Sequence, residues 1–135
     1  MSGRVGAAVL AGVTALALSA CQSATRPPSP RLEPDNRAAI AQLQKVNDAA
    51  QSCWMKSGDA AFRAYRVIPE LDTRTGRPRI LIMKAGAAQG LPQLVIEASG
   101  NPVRMTSYGP LAAQPIAARI TTDVMAWSGG RTTCS

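Results

Sequence analysis

The sequence predicts an α+β fold: an N-terminal helix, a three- to four-stranded antiparallel sheet, and a C-terminal helix packed on the same face. Three observations carry that expectation. Residues 35 to 57 repeat apolar positions at steps of three and four. Residues 62 to 108 break into short β-branched runs separated by Gly, Pro, Asn and Asp, and residues 115 to 128 return to an apolar stripe of helical spacing. Helices segregated to the two ends of a run of strands imply a hairpin-connected sheet with the helices laid on one side.

The first helix is expected to begin at Asp35, an N-cap side chain between Pro34 and the alanine-rich Asn36-Arg37-Ala38-Ala39. Ile40, Leu43, Val46, Asn47, Ala50, Cys53 and Trp54 then mark one face, and Gln42, Gln44, Lys45, Asp48 and Gln51 the other. The pattern is an amphipathic helix of about five turns, ending at Ser57-Gly58, where glycine accepts a left-handed cap.

Phe62 to Ile68 has the aromatic and β-branched content of a half-buried strand. Asp72-Thr73-Arg74-Thr75-Gly76 is a turn by composition. Arg79 to Lys84 is apolar enough for a central strand, and Leu94 to Ala98 is a third. Gly86 to Pro92 connects them as a loop, and Ser99-Gly100-Asn101-Pro102 turns the chain into a weaker fourth segment, Val103 to Tyr108, stopped by Gly109-Pro110. Pro115 suits the first turn of the last helix, where its missing N–H costs nothing. Ile116, Ile120, Val124 and Trp127 form its stripe, Arg119, Thr122 and Asp123 lie off it, and Gly129-Gly130 ends it. The stripes commit Trp54 and Trp127 to the core; lining a ligand groove is the other use open to them.

The region before the first helix reads differently. Arg4 precedes an uncharged run of 14 residues, 5 to 18. Such a run reaches roughly 21 Å as a helix, short of the ~30 Å hydrocarbon core. It reads as the apolar region of a signal peptide. It ends in Leu18-Ser19-Ala20-Cys21, which resembles the lipobox of bacterial lipoproteins. The resemblance implies a diacylglycerol on the Cys21 thiol, cleavage before Cys21, and acylation of the new amino terminus; two or more acyl chains anchor stably where one does not. The other reading is an ordinary secretory signal with a chance cysteine. Gln22 stands where, by analogy with enteric-type lipoproteins, an aspartate implies inner-membrane retention, so the expected location is the outer membrane facing the periplasm rather than the inner membrane.

The organisation expected is therefore a signal peptide at 1–20, a tether rich in Pro, Ser and Arg at 21–34, and a single domain at 35–135. Four prolines between Gln22 and Pro34 favour extended chain, which reaches up to roughly 40 Å over those residues.

Three cysteines are an odd number for an exported chain. With Cys21 lipidated, Cys53 and Cys134 remain, and an oxidising compartment favours a disulfide between them. An intermolecular bond through Cys134 and a redox-active thiol are the alternatives; a C-x-x-C pair is absent.

The chain contains no histidine, which excludes Ser-His-Asp triads, Cys-His pairs and His-ligated metals within it. No metal site, cofactor or Gly-rich phosphate loop is expected, and no catalytic residue is marked. Glu70 and Glu97 approach each other if their strands pair, although solvated strand positions are the ordinary reading. The net charge is +7, and the concentration of it is Arg74, Arg77 and Arg79, with Arg63 and Arg66 on the preceding strand. Arginine forks suit carboxylates and phosphates, so this is a possible anion or partner patch as well as a solvated turn. Nucleic acid is not expected, because basic and aromatic residues are not interleaved.

A helix carrying Cys53-Trp54, then paired strands with Ser99-Gly100-Asn101, then a helix and a late cysteine, is similar in plan to the C-terminal envelope domains of TolA and TonB. The similarity implies a small α+β domain that binds partners by adding a strand to a sheet edge. The present chain differs in its lipobox, in the absence of a long helical stalk and in ending on a helix, so no binding residue is carried over. The function expected is a lipid-anchored, non-enzymatic binding or structural module. Its partners would be the membrane, through the lipid, and an envelope protein or anionic wall component. An inhibitor or accessory subunit of a periplasmic enzyme is the alternative, and an enzyme acting through a serine or carboxylate is the third reading.

Overall fold

The computed structural model describes residues 36–72, 74, 76–87 and 89–135. Cys21, the 1–20 and 21–34 segments and the Asp35 cap lie outside the described residues. Helix α1 (Asn36–Ala50) runs on into a π-helical segment, Gln51–Lys56. Strands β1 (Tyr65–Glu70), β2 (Arg79–Lys84), β3 (Leu94–Ser99) and β4 (Arg104–Tyr108) follow, and helix α2 (Ile116–Ser128) closes the order. The sheet is an antiparallel meander, β1-β2-β3-β4. The α+β expectation of two terminal helices around an antiparallel sheet is met.

One face of the sheet receives both helices. Ala39, Leu43, Val46 and Ala50 of α1 meet Val67, Ile80, Ile82, Leu94, Ile96 and Ala98 of the sheet and Ile120, Val124 and Trp127 of α2. The stripe on α1 uses Ala39 rather than Ile40, which is only half-buried; alanine allows close approach of helix and sheet. On the opposite face Leu81, Met83 and Val95 make a second, smaller cluster with Ile68 against it. The alternation of strand side chains explains why β2 buries four consecutive residues: Ile80 and Ile82 face one way, Leu81 and Met83 the other.

The expected helix runs on to Lys56 as a π segment, in which Cys53 and Trp54 are both buried as the stripe requires. The expected first strand also shifts. Phe62 belongs to a 3-10 turn, Ala60–Phe62, whose N-cap Asp59 accepts from the Ala61 N–H at 2.9 Å. Aromatic content at Phe62 suggested a strand; the Asp59 cap and the stacking of Phe62 on Trp54 outweigh it, with ring centroids 4.5 Å apart. Pro69 is tolerated in β1 because β1 is an edge strand. At the end of β4, Gly109 has φ +131°, and a Cβ there would meet the Gln93 carbonyl oxygen at 2.7 Å. That close approach lets the Leu111 N–H donate to Gln93 O at 2.9 Å and starts the 3-10 turn Pro110–Ala113.

Candidate functional site

The arginines singled out in the sequence lie in and beside the β1–β2 connection. Arg74 is ion-paired with Asp72, whose carboxyl that guanidinium holds below the usual carboxylate range. Arg79 donates from Nε to Glu70 Oε2 at 2.6 Å, and this bond raises the Arg79 pKa above the ordinary arginine value. Arg77 is exposed and has no ion pair among the described residues. Arg77 and Arg79, but not Arg74, border a hollow of about 560 Å³ with Pro69, Glu70, Leu71 and Asp72. Arg63 and Arg66 do not join them. Register places Arg66 opposite Met83 and Arg79 opposite Glu70, so the two groups sit at opposite ends of the hairpin. Arg66 instead donates from Nη2 to Ala87 O at 2.6 Å, and its buried Nε has no hydrogen-bond partner among the described residues.

The Glu70 and Glu97 carboxylates are not a facing pair. Arg79 lies opposite Glu70 on one side and opposite Glu97 on the other, so the two acids are separated by a whole strand. Glu97 Oε1 accepts from the Tyr108 hydroxyl at 2.7 Å, which raises the Tyr108 pKa.

A second polar constellation escaped the sequence reading. Asp123, expected to lie off the α2 stripe, is 1 % exposed. Its Oδ2 accepts from Trp54 Nε1 at 2.9 Å and its Oδ1 from Ser135 Oγ at 2.6 Å. Arg119 and Arg131 reach the same carboxylate at 3.7 and 3.6 Å. Arg119 also pairs with Asp59 Oδ2 at 2.6 Å and lies over the Phe62 ring, 5.3 Å from its centroid. The Ala61 N–H and then the Arg119 guanidinium hold the Asp59 carboxyl below the usual range. Asp123 thus joins α2, the π segment, the 3-10 turn and the C-terminal tail. The available signal was the indole of Trp54: a buried Trp N–H needs an acceptor, and Asp123 is the one acid on the helix that shares the core with it.

The tail is fixed covalently as well. Cys53 and Cys134 are joined, with Cα atoms 5.3 Å apart. Trp127 Nε1 donates to Thr133 O at 3.2 Å, and Trp127 lies 5.0 Å from Trp54. Both tryptophans are therefore core residues, at 1 % and 0 % exposure. Asp123 has a donor on each oxygen and holds its neighbours in place. Among the described residues no three side chains of the His, Cys, Asp or Glu types gather as metal ligands. Compared with protein-family models, curated protein sequences and solved structures, the chain has no match.

Proposed function

We propose that the protein is a lipid-anchored lipoprotein of the bacterial cell envelope, held on the periplasmic face of the outer membrane. Its α+β domain acts as a binding or structural module without catalysis of its own. The observation that carries this reading is Leu18-Ser19-Ala20-Cys21, in register behind Arg4 and an uncharged run too short to span a bilayer. The bond between Cys53 and Cys134 supports export to an oxidising compartment. Its partners are the membrane, through lipid on Cys21, and an envelope protein or an anionic wall component, favoured by the basic balance of the chain. Growth with an alkyne-bearing fatty acid tests the anchor: label and membrane retention are expected in the wild type and lost in Cys21→Ser. Label persisting in the variant overturns it.

A second reading, an inhibitor or accessory subunit of a periplasmic enzyme, is favoured by Arg77, which is exposed beside the β1–β2 hollow and has no ion pair among the described residues. It predicts that Arg77→Glu abolishes inhibition of a periplasmic hydrolase that the wild-type protein inhibits. Unchanged inhibition rejects that role for the turn.

A further inference from the structure

The sheet has two edges, β1 and β4, and they are finished differently. Hydrogen bonding along an antiparallel strand alternates between its two sides, so the register tells which backbone groups point off the sheet. The Ala85 N–H donates to Ala64 O at 2.8 Å, so even-numbered residues of β1 bond to β2 and odd-numbered ones face away. Two of those outward residues are closed off. Val67 O accepts from Gln51 Nε2 at 3.1 Å, and Pro69 has no N–H to leave open. At the other side the Ala98 N–H donates to Pro78 O at 3.4 Å, so even-numbered residues of β3 bond to β2 and odd-numbered ones to β4. Their partners on β4 are Arg104, Thr106 and Tyr108, which leaves the N–H and C=O of Met105 and Ser107 pointing outward. Among the described residues no strand lies beyond β4 and no hydrogen bond reaches those outward groups. An edge left this way is a template for another strand.

The side chains along this edge are unusual too. Two of the three large apolar side chains exposed among the described residues border it, Tyr108 on β4 and Met125 on α2. Met125 lies in a shallow groove between α2 and β4 with Met105, Thr106, Ser107 and Thr121. Arg104 is exposed and has no ion pair among the described residues. Glu97, on the neighbouring strand, accepts the Tyr108 hydroxyl and has no ion pair among the described residues either.

We propose that the strand this edge receives is β4 of a second copy, paired antiparallel about a twofold axis at Thr106 so that two sheets become one. The register centred there uses the whole of Arg104–Tyr108. It sets Met105 of each copy opposite Ser107 of the other. Both are outward residues, so each such pair exchanges two N–H···O bonds. A slip by one residue opposes an outward residue to an inward one and loses those bonds. Side-chain alternation keeps Arg104, Thr106 and Tyr108 on one face. Arg104 of each copy then stands opposite Tyr108 of the other, a cation against an exposed ring whose hydroxyl is held by an acid without a cation of its own. The axis makes this contact twice, as a self-complementary interface requires. On the other face Met105 and Ser107 alternate across the join beside the two Met125 grooves. One short strand from each copy is a small contact, so the dimer dissociates on dilution. The pairing goes beyond the envelope reading and holds whether or not Cys21 carries lipid.

The test uses the full chain purified in mild detergent. Light scattering over a concentration series is expected to show the protein mass rising from one chain towards two. Ser107→Pro removes one outward N–H from each copy and leaves the bonds to β3 intact, as Pro69 does on β1. It is expected to stay monomeric at concentrations where the wild type dimerises. Two cysteine variants read the register. The Thr106 residues face each other across the axis with Cα atoms ~4.5 Å apart, within reach of a disulfide. The Arg104 residues are offset along the strands by about 14 Å, out of reach. After mild oxidation, peptide mass analysis of Thr106→Cys is expected to find residue 106 joined to residue 106 of another chain, and Arg104→Cys is expected to give no such pair. A wild type that stays monomeric at every concentration overturns the proposal. So does a Ser107→Pro variant that dimerises like the wild type, a missing link at 106, or a link at 104 as abundant as that at 106. Non-reducing mass analysis for the bond between Cys53 and Cys134 checks folding. If Ser107→Pro lacks that bond, the wild-type mass and the cross-links at 106 and 104 decide.

Discussion

Two regions of this domain pair arginine with aspartate, and they differ in almost everything else. In the β1–β2 connection Arg74 meets Asp72 two residues away, with side chains 83 % and 55 % exposed. Around Asp123 the pairing partners come from α2 and the tail, over a carboxylate that is 1 % exposed and also accepts an indole N–H. Water screens the first pair and each side chain loses entropy to form it, so it adds little to stability. The second is costly to break, because removing one partner leaves the others desolvated and unpaired. Counting arginines along the sequence ranks the turn first; burial ranks the Asp123 hub first for stability.

The strongest way to break that contrast is to remove the staple beside the hub. The bond between Cys53 and Cys134 closes a loop with a sequence separation of 81. Chain entropy puts its contribution at about 4.5 kcal/mol, with any native strain subtracting from that. Paired Cys53→Ser and Cys134→Ser are expected to lower the urea midpoint by a corresponding amount; an unchanged midpoint means that the tail is held without the bond.

Asp123→Ala comes next. It leaves Trp54 Nε1 without its acceptor and Arg119 and Arg131 without a shared anion. A loss of about 3 kcal/mol is expected, at the low end for a buried pair because both arginines are partly exposed and turn to water. Equilibrium unfolding in urea reads it, and Asp123→Asn, which keeps an acceptor for the indole, is expected to lose less.

Acid titration sharpens the contrast further. The folded-state pKa values of Asp59 and Asp72 are both lowered. A carboxyl with a depressed folded pKa adds stability above its unfolded pKa and loses it as pH falls through the folded value. Melting temperature is therefore expected to fall as pH drops below the usual carboxylate range. Asp59→Asn should flatten that limb more than Asp72→Asn, since Asp59 caps a turn and holds the arginine that also serves Asp123. Equal flattening would place the two regions on the same footing. The smallest effect is expected for Arg74→Ala, with no resolved change in urea midpoint at moderate salt.

Much of the fold was legible because it is periodic. Stripes of three and four placed both helices, and β-branched runs between turn residues placed four strands within a few positions. The exceptions share a cause. Phe62 left the expected strand because Asp59 caps a turn and Trp54 offers a stacking face, a contact between residues eight apart that no local pattern encodes. The Asp123 hub went unread along the helix because its hydrogen-bond partners, Trp54 and Ser135, are 69 and 12 residues distant. The disulfide, at a greater separation still, was legible because cysteine parity and compartment limit the pairing.

The most direct test of the central claim, a lipid-anchored and disulfide-stapled envelope module, is non-reducing mass analysis of the full protein recovered from membranes. The expected result is a chain beginning at Cys21 with a diacylglycerol and an added acyl group, and one cross-linked peptide pair containing Cys53 and Cys134. An unmodified Cys21, a retained residue 1–20 segment, or free thiols at 53 and 134 would contradict it.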